Sequence, residues 1–152
     1  MAIRHKRKNT SGYTWQPSDL VEGQVGLNIA DGTLHFKKSD NSFVSFVSSK
    51  VQTPTYSANK TIDWSIGDVA RMTLTGNCVI TNNGAYDGQK LLLELKQDAT
   101  GSRTVSFTSE TRFGTDITGI TLTTTANKSD KIGLIYNATD GKYDVIAFAR
   151  GY

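Results

Sequence analysis

The sequence predicts an all-β protein: a small N-terminal β-hairpin or meander with a basic arm, followed by an antiparallel, jelly-roll-like β-sandwich. Three observations carry this. Apolar and polar residues alternate in short runs, as Val25, Leu27 and Ile29 do within QVGLNIA. Gly, Asn and Asp separate many of these runs at roughly 8 to 12 residues, the spacing of a sandwich or barrel. No run has the length and period of a helix; even LLLELK, closed in by Gly88 and by Asp98 to Gly101, reads as a strand buried on both faces.

Residues 1–20 read as a basic, extended arm. Arg4, Lys6, Arg7 and Lys8 account for the whole net charge of +3, which arises from 17 Lys and Arg against 14 Asp and Glu. With His5 they form a candidate surface for an acidic partner. Tyr13 and Trp15 follow, outside any alternating run, as candidate anchors for a partner's pocket. Residues 21–50 read as a hairpin module. A two-residue turn at Asp31-Gly32 joins QVGLNIA to TLHFKK across residues 24–38, and FVSFV adds a third strand ending near Val47. His35, between Leu34 and Phe36, is expected to face away from the core. Residues 51–60, with Pro54, read as a linker. In the sandwich, residues 61–152, the strand signals are TIDWSI, VARMTLT, NCVIT, QKLLLELKQ, RTVSFTS, ITLTTT, KIGLIYNA and KYDVIAFA, the last two joined at Asp140-Gly141. No internal repeat is evident.

The chemistry-bearing residues argue against catalysis. Two histidines are present, His5 in the arm and His35 in the hairpin, so a nucleophile has no obvious base. The lone cysteine, Cys78, is expected as a small buried hydrophobe. Asp31, Asp40, Asp87, Asp98, Asp116 and Asp140 nearly all stand in turn-like contexts, where carboxylates satisfy local backbone amides. No Cys or His pair has metal-ligand spacing, and neither an enzyme nor a cofactor is expected. The body has no second basic patch for nucleic acid, and no stretch nears the roughly 20 apolar residues of a membrane span. With no signal-peptide pattern, assembly in a cytoplasm is expected. The loops at 82–88 and 111–119 carry Tyr86 and Phe113, candidate stacking residues for a glycan.

Gly23, Gly26, Asn28, Asp31, Gly32, Leu34 and Lys37 fit a pattern close to GxxxxNxxDGxLxxK behind a basic start. This segment resembles the N-terminal attachment module of tailed-phage virion proteins. QDATGSRTVSF (97–107), TLTTTANKSD (121–130) and the Asp140-Gly141 strand pair resemble a second phage-associated β-domain. The resemblance implies a non-enzymatic virion structural protein. Its compact size points to a capsid decoration, or cement, protein docked on the major capsid protein at the outer shell. A homotrimer is implied, with arms lying across the lattice, so that removing residues 1–16 would abolish attachment and leave the fold intact. The alternative is a short head or tail fibre that binds host-surface polysaccharide.

Overall fold

The computed structural model describes residues 5–47 and 50–152. Contacts divide the chain into two units, Met1–Ser48 and Ser49–Tyr152.

The first unit is a four-stranded sheet. Strands β2 (Val25–Asn28), β3 (Thr33–Lys37) and β4 (Phe43–Val47) form the expected antiparallel meander. The turn between β2 and β3 is longer than expected: Asn28 pairs with Thr33, leaving residues 29–32 as the loop. Part of the expected arm is itself a strand. β1 (Lys6–Lys8) pairs in parallel with β2, Arg7 opposite Leu27, at the sheet's edge. A parallel pair needs a long crossover, and the intervening segment crosses the sheet face that carries Gly26 and His35. There Trp15 and Leu20 are buried at 6% and 2% exposure. His35 therefore faces the layer that covers the sheet, contrary to expectation, because the burying residues come from outside the alternating pattern. Val25, Leu27, Leu34 and Phe36, on the other face, are half-buried.

The second unit overturns the jelly-roll sandwich: it is a β-solenoid of about 4 turns with largely parallel sheets. Strands β5 (Val51–Gln52), β7 (Val69–Leu74) and β9 (Lys90–Gln97) stack in parallel in one sheet. Strands β6 (Asn59–Asp63), β8 (Cys78–Asn83) and β10 (Val105–Phe107) stack in parallel in another. Each coil thus supplies one strand to each sheet. Alternation shows which side chains point inward but not which strand lies alongside, so it fits hairpins and coils equally well. The repeat is hidden because the corners lengthen: Val51 pairs with Val69, Val69 with Leu92, and Cys78 with Val105.

Antiparallel pairing returns at the far end. Strand β11 (Thr111–Arg112) is followed by β12 (Ser129–Asn137) and β13 (Lys142–Ala149); β12 runs antiparallel to both β9 and β13, and the six-stranded order is β11-β13-β12-β9-β7-β5. The expected linker at 51–60 holds β5 and the start of β6, and ITLTTT joins no ladder, although Leu122 is buried. β9 is buried on one face only: Leu91, Leu93, Leu95 and Gln97 point inward, while Lys90, Leu92, Glu94 and Lys96 point outward. With Ile62, Trp64, Met72, Leu74, Ile80, Ile132 and Leu134 the inward set forms one continuous core. Cys78 lies in that core as expected, 3% exposed.

Buried amides close the corners. Gln97 donates from Nε2 to the Arg103 carbonyl at 2.9 Å and accepts from the Arg103 amide at 2.8 Å, so its side chain replaces a ladder pair. Asp98 accepts from the amides of Thr100 and Gly101 and binds the Arg103 guanidinium at 2.8 Å. Asn82 accepts from Trp64 Nε1 at 2.8 Å and donates to Thr111 Oγ1 at 2.9 Å. Asp130, 1% exposed, accepts from the Thr123 amide and hydroxyl and from the Gly151 amide, tying the 120s loop and the C-terminal residues to β12.

Candidate attachment surface

The residues of the attachment-like pattern are the footprint of the N-terminal segment on the hairpin. A Cβ on Gly26 would come within 2.7 Å of the Trp15 ring, so a side chain there would collide with the indole. Asn28, 2% exposed, donates from Nδ2 to the Thr10 carbonyl at 3.0 Å and to Asp31 at 2.6 Å. Asp31 also accepts from the Ser11 hydroxyl and the Gly12 amide, both at 2.8 Å. Lys37 donates to the Pro17 carbonyl at 2.7 Å. Gly32 (φ +64°) ends the β2–β3 loop in the left-handed region and Gly23 (φ +71°) precedes β2 there; in both places a side chain would add strain. Leu34 belongs to the half-buried face.

This packing decides which candidate residues are free to meet a partner. Trp15 is enclosed by its own unit, with Tyr13 edge-on at 5.6 Å and His35 at 5.6 Å. Its Nε1 is the one buried side-chain polar atom without a hydrogen-bond partner among the described residues. Lys8 lies 4.2 Å from the Tyr13 ring centroid and 3.6 Å from Asp19, and Tyr13 donates to Asp19 at 2.7 Å. The Tyr13 hydroxyl and the Asp19 charge raise the Lys8 pKa against its partial burial; hydrogen bonds from Gln16 and Tyr13 lower that of Asp19. His5, Lys6 and Arg7 are exposed. Arg4 lies outside the described residues. Of the basic cluster, Lys6 and Arg7 thus stand open on the edge strand with His5 just before it, while Lys8, Tyr13 and Trp15 hold the unit together.

His35 is fixed between two hydroxyls, Thr33 Oγ1 at 2.8 Å from Nε2 and Ser45 Oγ at 2.7 Å from Nδ1. Burial holds its pKa below the usual 6.5, with the Asp31 charge opposing. In the solenoid, Tyr86 is 68% exposed, whereas Phe113 is half-buried, edge-on to Phe107 at 5.9 Å. Arg112 beside it is engaged by Asp144 and Asp140. Among the described residues no group of three His, Cys, Asp or Glu side chains is placed to hold a metal ion, and no helix is long and apolar enough to cross a membrane.

No protein-family model and no curated protein matches the sequence. A solved structure titled "Structure of a chaperone-substrate complex" is similar at a TM-score of 0.37 and 14% identity over 76% of this chain. This chain spans 19% of that one, and so slight a likeness carries no argument. None of these findings supports the capsid roles that the resemblance implies.

Proposed function

We propose that this chain is a non-enzymatic attachment protein of a tailed-phage particle, a short appendage whose N-terminal unit docks on a virion protein and whose solenoid is the displayed body. The observation that carries this reading is strand β1. Lys6 and Arg7 are exposed on the edge strand of the first unit's sheet, where cations stand on a backbone edge that pairs with no further strand among the described residues. An acidic, extended segment of a virion protein fits such an edge, since it adds ladder hydrogen bonds while neutralising charge. The stacked parallel coils favour the appendage over shell decoration, because a solenoid presents long lateral faces to a ligand. Association into trimers would multiply one weak docking contact into useful avidity.

The test is the Lys6→Glu/Arg7→Glu variant against the parent chain, in co-sedimentation with particles lacking this protein. Loss of binding with the circular dichroism spectrum unchanged supports docking through β1; full occupancy by the variant refutes it. Immunogold labelling then locates the protein, sparse label at a tail, neck or vertex fitting an appendage and dense label over the head fitting decoration.

A further inference from the structure

The outer face of β7 and β9 forms the floor of an open groove of ≈ 560 Å³, within the range of about 300–1,000 Å³ common for small-ligand clefts. One wall is the segment Thr53–Tyr56. The wall is built rather than incidental. Tyr56 donates from its hydroxyl to the Asn77 carbonyl at 2.9 Å, which fixes the ring's far end. The ring end lies where a side chain on residue 76 would be, since a Cβ on Gly76 would fall 2.5 Å from the Tyr56 hydroxyl oxygen. The absence of a side chain at Gly76 thus gives the aromatic wall its seat.

The floor offers charge and hydroxyls in register. Arg71 stands opposite Glu94, and Thr73 opposite Lys96. Arg71 Nε lies 3.2 Å from Glu94 Oε2, which balances one cation and leaves the other guanidinium N–H groups uncommitted among the described residues. No carboxylate or carbonyl among them accepts from the Lys96 ammonium. The groove therefore combines a fixed ring, several hydroxyls and one uncompensated positive charge.

We infer that this groove binds an acidic saccharide chain, its carboxylate held by Lys96 and Arg71 and a sugar face resting on Tyr56. A held aromatic ring accepts the apolar C–H face of a pyranose at little entropy cost, and Thr hydroxyls exchange hydrogen bonds with sugar hydroxyls. The guanidinium and ammonium make charge-assisted bonds to a carboxylate, which select acidic over neutral chains. The site lies wholly within the solenoid and does not depend on where the first unit is attached. It is also distinct from Tyr86 and Phe113, neither of which lines the groove.

The experiment uses the full chain in solution, with no particle present, so failure of the docking reading leaves this one standing. Biolayer interferometry against size-defined hexuronate and sialate oligomers, with malto-oligosaccharides as neutral controls, reads the affinity. At least one acidic oligomer should bind saturably, weaken with salt and lose about tenfold or more in Lys96→Glu, the loss expected for one charge-assisted bond. Gly76→Val, which displaces the Tyr56 ring, should weaken the same oligomer, and Tyr86→Ala should leave it unchanged. Circular dichroism checks that each variant is folded, and Tyr56→Ala replaces Gly76→Val if the latter unfolds. No saturable binding by any acidic oligomer at millimolar concentration overturns the inference, as does binding that survives Lys96→Glu or is matched by the neutral controls.

Discussion

Replacing Asn82 with leucine tests whether the solenoid's corner depends on a buried polar hub. Asn82, 4% exposed, accepts from Trp64 Nε1 at 2.8 Å, donates to Thr111 Oγ1 at 2.9 Å, and lies against a tryptophan of 0% exposure. Leucine is close in shape but cannot accept a hydrogen bond, so the indole N–H is left unpaired in the core at a cost of about 1–3 kcal/mol. Loss of the Thr111 bond adds about 1 kcal/mol, and the variant should be about 2–4 kcal/mol less stable. Urea unfolding followed by circular dichroism measures this through the midpoint at constant slope. The decisive comparison is a double-mutant cycle with Trp64→Phe, which removes the donor. Asn82→Leu should cost clearly less in the Trp64→Phe background than in the parent, because no N–H is then stranded. Equal costs in the two backgrounds, or a loss under about 0.5 kcal/mol in the parent, would refute the hub.

Gly26→Ala should destabilise the first unit by about 1–3 kcal/mol through overpacking against Trp15, and a tryptophan emission maximum shifted to longer wavelength would report the displaced ring; an unchanged spectrum and midpoint would contradict the close approach. The Cys78 thiol, its pKa raised chiefly by burial, should resist a thiol reagent at neutral pH until the solenoid is unfolded, and rapid native-state reaction would show the site to be open. Burial holds His35 below 6.5 when folded, so its contribution to stability is complete above that value and is lost as the pH falls from there through the folded pKa. An NMR titration of the His35 ring should therefore give a midpoint under 6.5, and a higher midpoint would reverse the predicted acid sensitivity of the first unit.

The legible part of this fold was local. The β2–β3–β4 meander and the β12–β13 pair around Asp140-Gly141 could be read because hairpin partners are neighbours in sequence, and turn chemistry then specifies the pairing. The parallel coils could not, since β7 lies between β5 and β9 at separations that no short window spans. The corner roles of Asn82 and Gln97 are not legible either: Asn82 falls in the expected loop at 82–88, and Gln97 is the last residue of the QKLLLELKQ strand signal. Their signal was position at the end of an apolar strand, where a side-chain amide can complete the backbone pairing that the corner interrupts. In the groove, Tyr56 falls within the expected linker, Arg71 within one strand signal, and Glu94 and Lys96 within another that reads as buried on both faces. Only register brings them together.

The same distinction changes what the N-terminal pattern means. Gly26, Asn28, Asp31 and Lys37 each hold a residue of the segment from Thr10 to Pro17, so a sequence keeping this pattern keeps the crossover clamped to the hairpin whatever it docks on. Removing residues 1–16 would strip β1 from the sheet and Trp15 from the core of a unit already too small to spare either. Such a truncation confounds unfolding with lost attachment, contrary to the expectation that the arm is separable. If the unit docks as proposed, specificity would reside in residues the clamp leaves outward, and Lys6 and Arg7 meet that condition because β1 is held in place by its pairing with β2. The buried Trp15 N–H, which has no partner among the described residues, costs the unit stability, and the bare backbone of Gly26 is what lets the ring pack this close to the sheet. On the proposed docking reading, attachment would be a property of a folded edge, with the recognition-like pattern serving to build it.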